Sequence, residues 1–371
     1  MEVSSLDVSR FRNLGAFRLE AGPGPNIIYG DNAQGKTNLL EAIWLFSGSR
    51  SFRGSRDRDF LQKEGEEIAA LSLGFKAEGR EQEAVLRFGN GGERRHVELN
   101  GVKKDSPMAF SGIFCAVLFS PDHMSLVKGG PEGRRQMIDT SLSQAYPKYT
   151  RAMDNYQKAL KQRNTLLKDI SHHPSLLDML ELWDRHIMEY GGYISALRAG
   201  YIRQLGEHAA DVYRGISSGK EEFGLTYQPS FGEQFEGFTL SDFQNAVGKA
   251  LAGSRDEDIR FGSTSVGPHR DDLLIEVAGL SARSFGSQGQ QRSAILALKL
   301  AECEILEERY GEPPVVMLDD VMSELDASRR SYLLNQMENK QVFITCCDTS
   351  AFQGMEGGRV FHMKSGMLYN D

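Results

Sequence analysis

The sequence predicts an α/β fold whose mixed or parallel sheet is interrupted by an inserted α-helical domain, and three observations predict it. Short apolar strands alternate with helices near both ends of the chain, at residues 26–29, 315–318 and 342–345, with helices at 36–46, 288–310 and 327–337. That alternation marks a parallel sheet covered on both faces. Between the two ends the period changes to alternating steps of three and four, the seam of paired helices. Finally, Gly30-Asp31-Asn32-Ala33-Gln34-Gly35-Lys36-Thr37 matches G-x4-G-K-[ST] after a strand and before a helix, the setting of a P-loop.

Taken in order, residues 6–8, 17–19 and 26–29 read as short strands, and Leu39, Leu40, Ile43 and Trp44 share one face of the first helix. Strands follow at 68–75, 84–88 and 95–99, with turns at 89–92 and Asn100-Gly101, and a buried strand at 113–119 ends before Ser120-Pro121. One helical seam runs Tyr146, Tyr149, Met153, Tyr156, Leu160, Leu167, Ile170, with Arg163 filling the gap; a second runs Leu176, Leu180, Trp183, Ile187, Tyr190, Ile194, Leu197, Tyr201. Pro147 suits a first helical turn, and His172-His173-Pro174-Ser175 makes the connector. The pattern predicts an antiparallel, coiled-coil-like hairpin whose first helix is about 36 Å long, either a projecting arm or a pair of core helices. Gly191-Gly192 predicts a kink in the second helix. A strand at 225–227, a helix at 241–251 and a strand at 273–277 lead back to the α/β pattern. The expected organisation is a discontinuous head, 1–122 and 263–371, around an inserted helical arm, 123–262.

Composition narrows the function. The 371 residues are 40% hydrophobic and 25% charged, which excludes a disordered or collagen-like chain. With 43 Lys plus Arg against 51 Asp plus Glu, net charge −8, any nucleic-acid contact must use a local patch. Four cysteines without metal-ligand spacing suggest a reducing cytoplasm. The N-terminus lacks the features of a signal peptide, and no apolar stretch is long enough to span a bilayer.

In the P-loop, the glycines let backbone N–H groups converge on a β-phosphate at a helix N-terminus. Lys36 is placed to reach the β- and γ-phosphates of ATP and Thr37 to ligate Mg²⁺. Val315-Val316-Met317-Leu318 buries a strand and delivers Asp319 and Asp320 at its C-terminal end, where ligands bind in open α/β sheets. Asp319 is the candidate for Mg²⁺ and Asp320 for activating the attacking water; alone, the pair would read as a helix-capping strand end. Ser287-Gln288-Gly289-Gln290-Gln291-Arg292 opens the long helix 32 residues before Asp319. In that order it resembles the signature of ABC-type ATPases, which implies two ATP molecules sandwiched in an isologous dimer.

The resemblance extends further. Asp319-Asp320-Val321-Met322-Ser323-Glu324-Leu325-Asp326, Val266-Gly267-Pro268-His269-Arg270-Asp271-Asp272-Leu273, the Ser287 signature and Phe119-Ser120-Pro121 together are similar to the RecF family of SMC-like ABC-type ATPases, as are Phe11-Arg12-Asn13 and Ser51-Phe52-Arg53. The resemblance implies an ABC-type P-loop ATPase head and adds Arg12 and Asn13 to the nucleotide-binding residues. It implies an ATP-dependent DNA-binding switch at single-strand gaps that works with RecR and RecO to help load RecA. Membership of a membrane transporter or of an SMC-like clamp is the alternative.

Three departures from the wider ABC pattern stand out. Asp320 replaces the usual catalytic Glu and predicts slow hydrolysis. Cys347 stands where a switch His is expected, and no Q-loop Gln is evident, Asp122 at the corresponding junction being a candidate for that place. Candidate DNA contacts are the basic stripe Lys148, Arg151, Lys158, Lys161, Arg163 and Lys168, and the cluster Arg50, Arg53, Arg56 and Arg58. A merely solvated helix face remains open for the stripe.

Overall fold

A computed structural model describes residues 1–62, 68–89, 95–170, 173–232, 235–348 and 358–370. In chain order the strands are β1 (Glu2–Ser9), β2 (Phe17–Glu20), β3 (Pro25–Tyr29), β4 (Ile68–Ala77), β5 (Arg80–Gly89), β6 (His96–Leu99), β7 (Val102–Lys104), β8 (Ala116–Phe119), β9 (Phe223–Gln228), β10 (Asp272–Val277), β11 (Leu280–Ser281), β12 (Val315–Asp319), β13 (Val342–Cys346), β14 (Arg359–Lys364) and β15 (Met367–Asn370). The helices are α1 (Lys36–Trp44), α2 (Met124–Lys128), α3 (Pro131–Ala145), α4 (Pro147–Ile170), α5 (Leu180–Ser217), α6 (Leu240–Gly253), α7 (Arg255–Phe261), α8 (Gln288–Tyr310) and α9 (Ala327–Gln336). Two compact units emerge: Met1–Met124 with Gly215–Ser218 and Ile295–Asp371, and Ser125–Arg214 with Gly219–Ala294.

The first unit contains two six-stranded sheets. One has the order β15-β14-β3-β13-β12-β8, parallel throughout except for antiparallel β15 at its edge. Every residue of β12 and of β13 is buried, as strands covered on both faces require. β8, which precedes the helical segment, pairs with β12, which follows it, from Ala116↔Val315 to Phe119↔Leu318. The sheet therefore begins before the insertion and closes after it, as the alternating pattern predicts. β14 and β15, which that pattern does not reveal, extend it past β3. The second sheet, β2-β1-β4-β5-β6-β7, is antiparallel. Beside it Phe11, Phe60 and Phe88 form an aromatic cluster with centroids 4.9–6.0 Å apart. The Asn100-Gly101 turn joins β6 to β7; of the turn expected at 89–92, residues 90–92 lie outside the described residues.

The second unit combines α3 to α7 with a three-stranded antiparallel sheet, β11-β10-β9. The helical seam forms as its spacing predicts: Tyr149, Tyr156, Leu167 and Ile170 of α4 and Leu180, Ile187, Ile194 and Tyr201 of α5 are all buried. Near the turn, Leu166, Leu167, Ile170 and Leu180 make one cluster, against which Leu176, Trp183 and Ile259 of α7 pack. Of the expected connector, His172 lies outside the described residues.

Three features differ from the sequence expectation. α5 runs unbroken through Gly191-Gly192. A Cβ on Gly192 would lie 2.5 Å from the Gln244 Cα, so this glycine serves the close packing of α6 rather than interrupting the helix. Residues 263–294 group with the helices instead of with the sheet that follows, because β10 pairs with β9 from Asp272↔Gln228 to Val277↔Phe223. Lastly, Arg163 belongs to the core and not to the basic stripe. Its side chain is 0% exposed, with Nε 2.7 Å from Asp184 Oδ1 and Nη1 2.7 Å from Asp258 Oδ2. Lys148, Arg151, Lys158, Lys161 and Lys168 remain exposed on α4, with Lys158 paired to Asp154 at 2.5 Å.

Candidate functional site

The site of the first unit is built where β3, β12 and β13 end together. Parallel pairing sets Asp319 beside Thr345 and Cys346 beside Tyr29, so the loop after β3 and the acidic pair at the end of β12 meet at the C-terminal ends of neighbouring strands. Gly30 must lie flush against β14: a Cβ there would come 2.2 Å from the Met363 carbonyl oxygen, at a φ of +153°. The loop then turns into α1 with Gly35 at the helix N-cap. Ala33 within it adopts a φ of +63°, a left-handed conformation that a β-carbon tolerates only when its surroundings enforce it. Gln34 is one constraint: its side-chain oxygen accepts from the Ser365 N–H at 2.5 Å, and its carbonyl from the Gly366 N–H at 3.0 Å.

Lys36 is almost wholly buried. Its Nζ donates to the carbonyls of Gly30 at 2.5 Å and Asp31 at 2.9 Å, so the ammonium sits inside the curl of the loop. Thr37 Oγ1 donates to Asp319 Oδ1 at 2.9 Å, joining loop and strand end. Asp319 is buried, and burial pushes its carboxyl above the usual range; hydrogen bonds from Thr345 and Thr37 oppose that, Asp320 adds to it, and Arg53 lowers it. Asp320, with a φ of +52°, heads the turn that follows and is held by Ser323 Oγ donating to its carbonyl at 2.8 Å. Cys347 Sγ lies 3.2 Å from Asn32 Oδ1 and 3.7 Å from Lys36 Nζ. The residue in the switch-His position thus does touch the loop.

Asn13 reaches the loop as well, donating from Nδ2 to the Ala33 carbonyl at 3.3 Å and accepting from Asn38 Nδ2 at 2.6 Å. Arg12 has a structural setting: Nε is 2.5 Å from buried Glu41, Nη2 donates to Ser55 at 2.6 Å, and the guanidinium lies over the Phe60 ring at 5.2 Å. Asp122 has its N–H on Ser120 Oγ at 3.3 Å, opening a short 3-10 turn. Two residues that the sequence reading did not single out complete the site. Thr345 bridges the acidic pair, and Met363 backs Gly30; the first stands near the C-terminal end of a buried strand as Asp319 does, while the second has no local signal.

Ser287, Gln288, Gly289 and Gln290 stand in the second unit at the start of α8. There the Ser287 N–H donates to Gln290 Oε1 at 2.8 Å and the Gln290 N–H to Ser287 Oγ at 3.2 Å, a reciprocal capping box. Gln290 Nε2 donates further to Glu221 at 2.7 Å.

The Gly267-Pro268-His269-Arg270-Asp271-Asp272 run organises a buried polar knot in the same unit. Arg198 donates to the Pro268 carbonyl at 2.6 Å and contacts Asp139 at 2.8 Å and Asp271 at 3.2 Å. Asp271 also accepts from Tyr227 and from the Ser230 N–H, and Asp272 takes Arg134 in a two-pronged pair at 2.7 and 2.8 Å. His269 Nε2 faces the Thr264 carbonyl at 3.0 Å, so it carries the proton, and Nδ1 accepts from the Tyr156 hydroxyl at 2.6 Å. Burial holds this imidazole down at about 4; the Thr264 bond opposes that, and Arg270, Arg135 and Arg198 reinforce it.

A folded value below the unfolded ~6.5 means that the unfolded chain binds the extra proton first. Stability from this group is complete above about pH 6.5 and declines as pH falls toward 4. Denaturant midpoints measured from pH 7 to 4 are expected to fall less steeply for His269→Gln than for the parent; equal slopes would refute the assignment.

Comparison with known proteins agrees with this architecture. The RecF/RecN/SMC N terminal domain family model matches residues 2–367. The DNA replication and repair protein RecF of Agathobacter rectalis is 37% identical over 370 residues, covering 99% of both chains. That of Symbiobacterium thermophilum is 39% identical over 377 residues, covering 100% of this chain and 99% of its own. A solved structure described as the recombination mediator protein RecF with ATP in the RecFOR pathway superposes with a TM-score of 0.92 at 37% identity, over 100% of this chain and 97% of that one. The Smc head domain of Pyrococcus furiosus, with a TM-score of 0.54 and 17% identity over 99% and 95% of the two chains, shares the fold. A full-length match of this kind favours neither a transporter subunit nor a chromosome-bridging clamp. With its interrupted sheet, P-loop and strand-end acidic pair, the chain belongs to the RecF family of DNA replication and repair proteins, on an SMC-like ABC-type ATPase fold.

Proposed function

We propose that this chain is an ATP-gated, sequence-nonspecific DNA-binding protein. Its ATP-induced homodimer acts at single-strand gaps and single-strand/duplex junctions, with RecR and RecO helping to load RecA. Such work on chromosomal DNA implies the cytoplasm; among the described residues no helix is long and apolar enough to cross a membrane. The observation that carries the reading is the Thr37–Asp319 hydrogen bond of 2.9 Å, which ties a phosphate-binding loop to a buried carboxylate.

The backbone of residues 30–35, with Asn13 beside it, cradles the β-phosphate, and Lys36 exchanges its two carbonyl partners for β- and γ-phosphate oxygens. Arg12, held by Glu41, shapes the adjoining wall. One hydroxyl and one carboxylate are hard oxygen donors suited to Mg²⁺, which takes one or two carboxylates and completes its shell with phosphate and water. The raised carboxyl of buried Asp319 is what such a cation would lower. When bound, the ion neutralises charge developing on the phosphates. Asp320 orients and deprotonates the attacking water. Its side chain is a methylene shorter than Glu, in keeping with slow, DNA-stimulated hydrolysis that serves as a switch rather than a motor.

Ser287, Gln288, Gly289 and Gln290 present a helix N-terminus for the γ-phosphate held by a second copy. Analytical ultracentrifugation is expected to show ATP with Mg²⁺ converting monomer to dimer, and Ser287→Arg remaining monomeric while still binding ATP. A parent profile that ATP leaves unchanged would overturn the composite site.

A further inference from the structure

We propose that Thr345 is a positioning residue for hydrolysis, its single hydroxyl aligning both the metal-holding and the water-activating carboxylates. The inference rests on the ATPase reading above and adds a residue to it. Thr345 lies at 1% exposure on β13, directly across from Asp319 in the parallel register. Its Oγ1 donates to Asp319 Oδ1 at 2.8 Å and accepts from the Asp320 backbone N–H at 3.0 Å.

A hydroxyl has one proton to give and lone pairs to receive. Here the proton goes to one member of the acidic pair and a lone pair to the next residue's backbone. The first bond fixes the rotamer of Asp319, whose Oδ1 accepts from Thr37 as well. The second ties down the backbone N–H of Asp320, which stands in the left-handed region at φ +52° and ψ +18°, a conformation uncommon for residues with a β-carbon and open to Asp more than to most. A β-branched side chain on a strand is stiff at χ1, so the hydroxyl is delivered in one direction. Thr345 acts through these two neighbours.

The test compares Thr345→Val, which keeps the shape and removes the hydroxyl, with Thr345→Ser, which keeps the hydroxyl. Outer-shell partners of this type change metal affinity or activity by about 10- to 100-fold. Thr345→Val is expected to lower kcat by that factor and to raise, by about 10-fold, the Mg²⁺ concentration needed to tighten binding of a fluorescent ATP analogue. Affinity for the analogue without Mg²⁺ should stay within about 2-fold, and Thr345→Ser should restore both readouts. If Thr345→Val is not folded by circular dichroism, Thr345→Ala is read against Thr345→Ser in the same way.

Unchanged kcat and Mg²⁺ dependence in the variant lacking the hydroxyl would overturn the positioning role, as would a Ser variant equally impaired. Absence of hydrolysis in the parent chain would instead strike the ATPase reading itself, so the two failures are distinguishable.

Discussion

Lys36→Met is expected to abolish ATP binding and, with it, ATP-dependent affinity for DNA. The ammonium lies 2.5 and 2.9 Å from two carbonyls of its own loop and the residue is 7% exposed, so its apolar stem is packed and its charge is aimed at the interior of the loop. Methionine keeps the stem and the helix propensity of α1 while removing the charge. The fold should therefore survive, leaving a loop with backbone donors but no cation. Charge-assisted hydrogen bonds contribute about 1.5–3 kcal/mol each, so losing those to two phosphates should weaken ATP by at least about 100-fold. Calorimetric titration with ATP, followed by DNA binding with and without ATP, measures both effects. Full ATP-dependent DNA affinity in this variant would sink the P-loop assignment.

The largest stability effect is expected at Arg163. Arg163→Ala leaves Asp258, 0% exposed, and Asp184, 16% exposed, without their shared guanidinium. Arg163 Nη1 also donates to Thr264 at 2.9 Å. Removing one partner of a buried ion pair costs about 3–5 kcal/mol, because the remaining carboxylate is buried and uncompensated. Asp258 keeps bonds from the Ser265 N–H and hydroxyl, and Asp184 keeps Arg255 at 2.8 Å, which places the effect nearer the lower end. At about 2–4 °C per kcal/mol for a unit of this size, the melting temperature should fall by roughly 10 °C. Arg163→Lys should recover only part, since an ammonium cannot span two carboxylates as the planar fork does. Lys161→Ala, one turn-face away and exposed, serves as the control with no change beyond about 0.5 kcal/mol. A parent-like melting temperature for Arg163→Ala would contradict the core assignment.

Arg163 also shows where sequence reading stops. Its place in the seam is legible, since it fills the single gap between Leu160 and Leu167, yet its residue type reads as part of a basic stripe that is a candidate for DNA contact. Its partner Asp258 lies 95 positions away, and nothing local on α4 announces it. The same holds for Gly192, where a Gly-Gly pair looks like a helix breaker until α6 is seen against it. The boundary near residue 263 differs for a related reason: the alternation of 273–277 marks a strand but not which strand it joins, and β9 inside the insertion claims it. Thr345 and Met363 entered the site through register and through backbone approach, neither of which has a periodicity.

The sequence by itself determined the α/β class with its helical insertion, the P-loop, the Asp319-Asp320 strand end, the capped signature helix and the RecF resemblance. Each of these is built from local signals, a spacing, a cap or a run of apolar residues within one element, and from their order along the chain. Tertiary structure alone decided which further elements share a carboxylate: Thr345 on Asp319, Arg163 on Asp184 and Asp258, Arg198 on Asp139 and Asp271. A buried charge or hydroxyl is stable only with partners, and those partners are brought in by the crossing of strands and helices far apart in the chain.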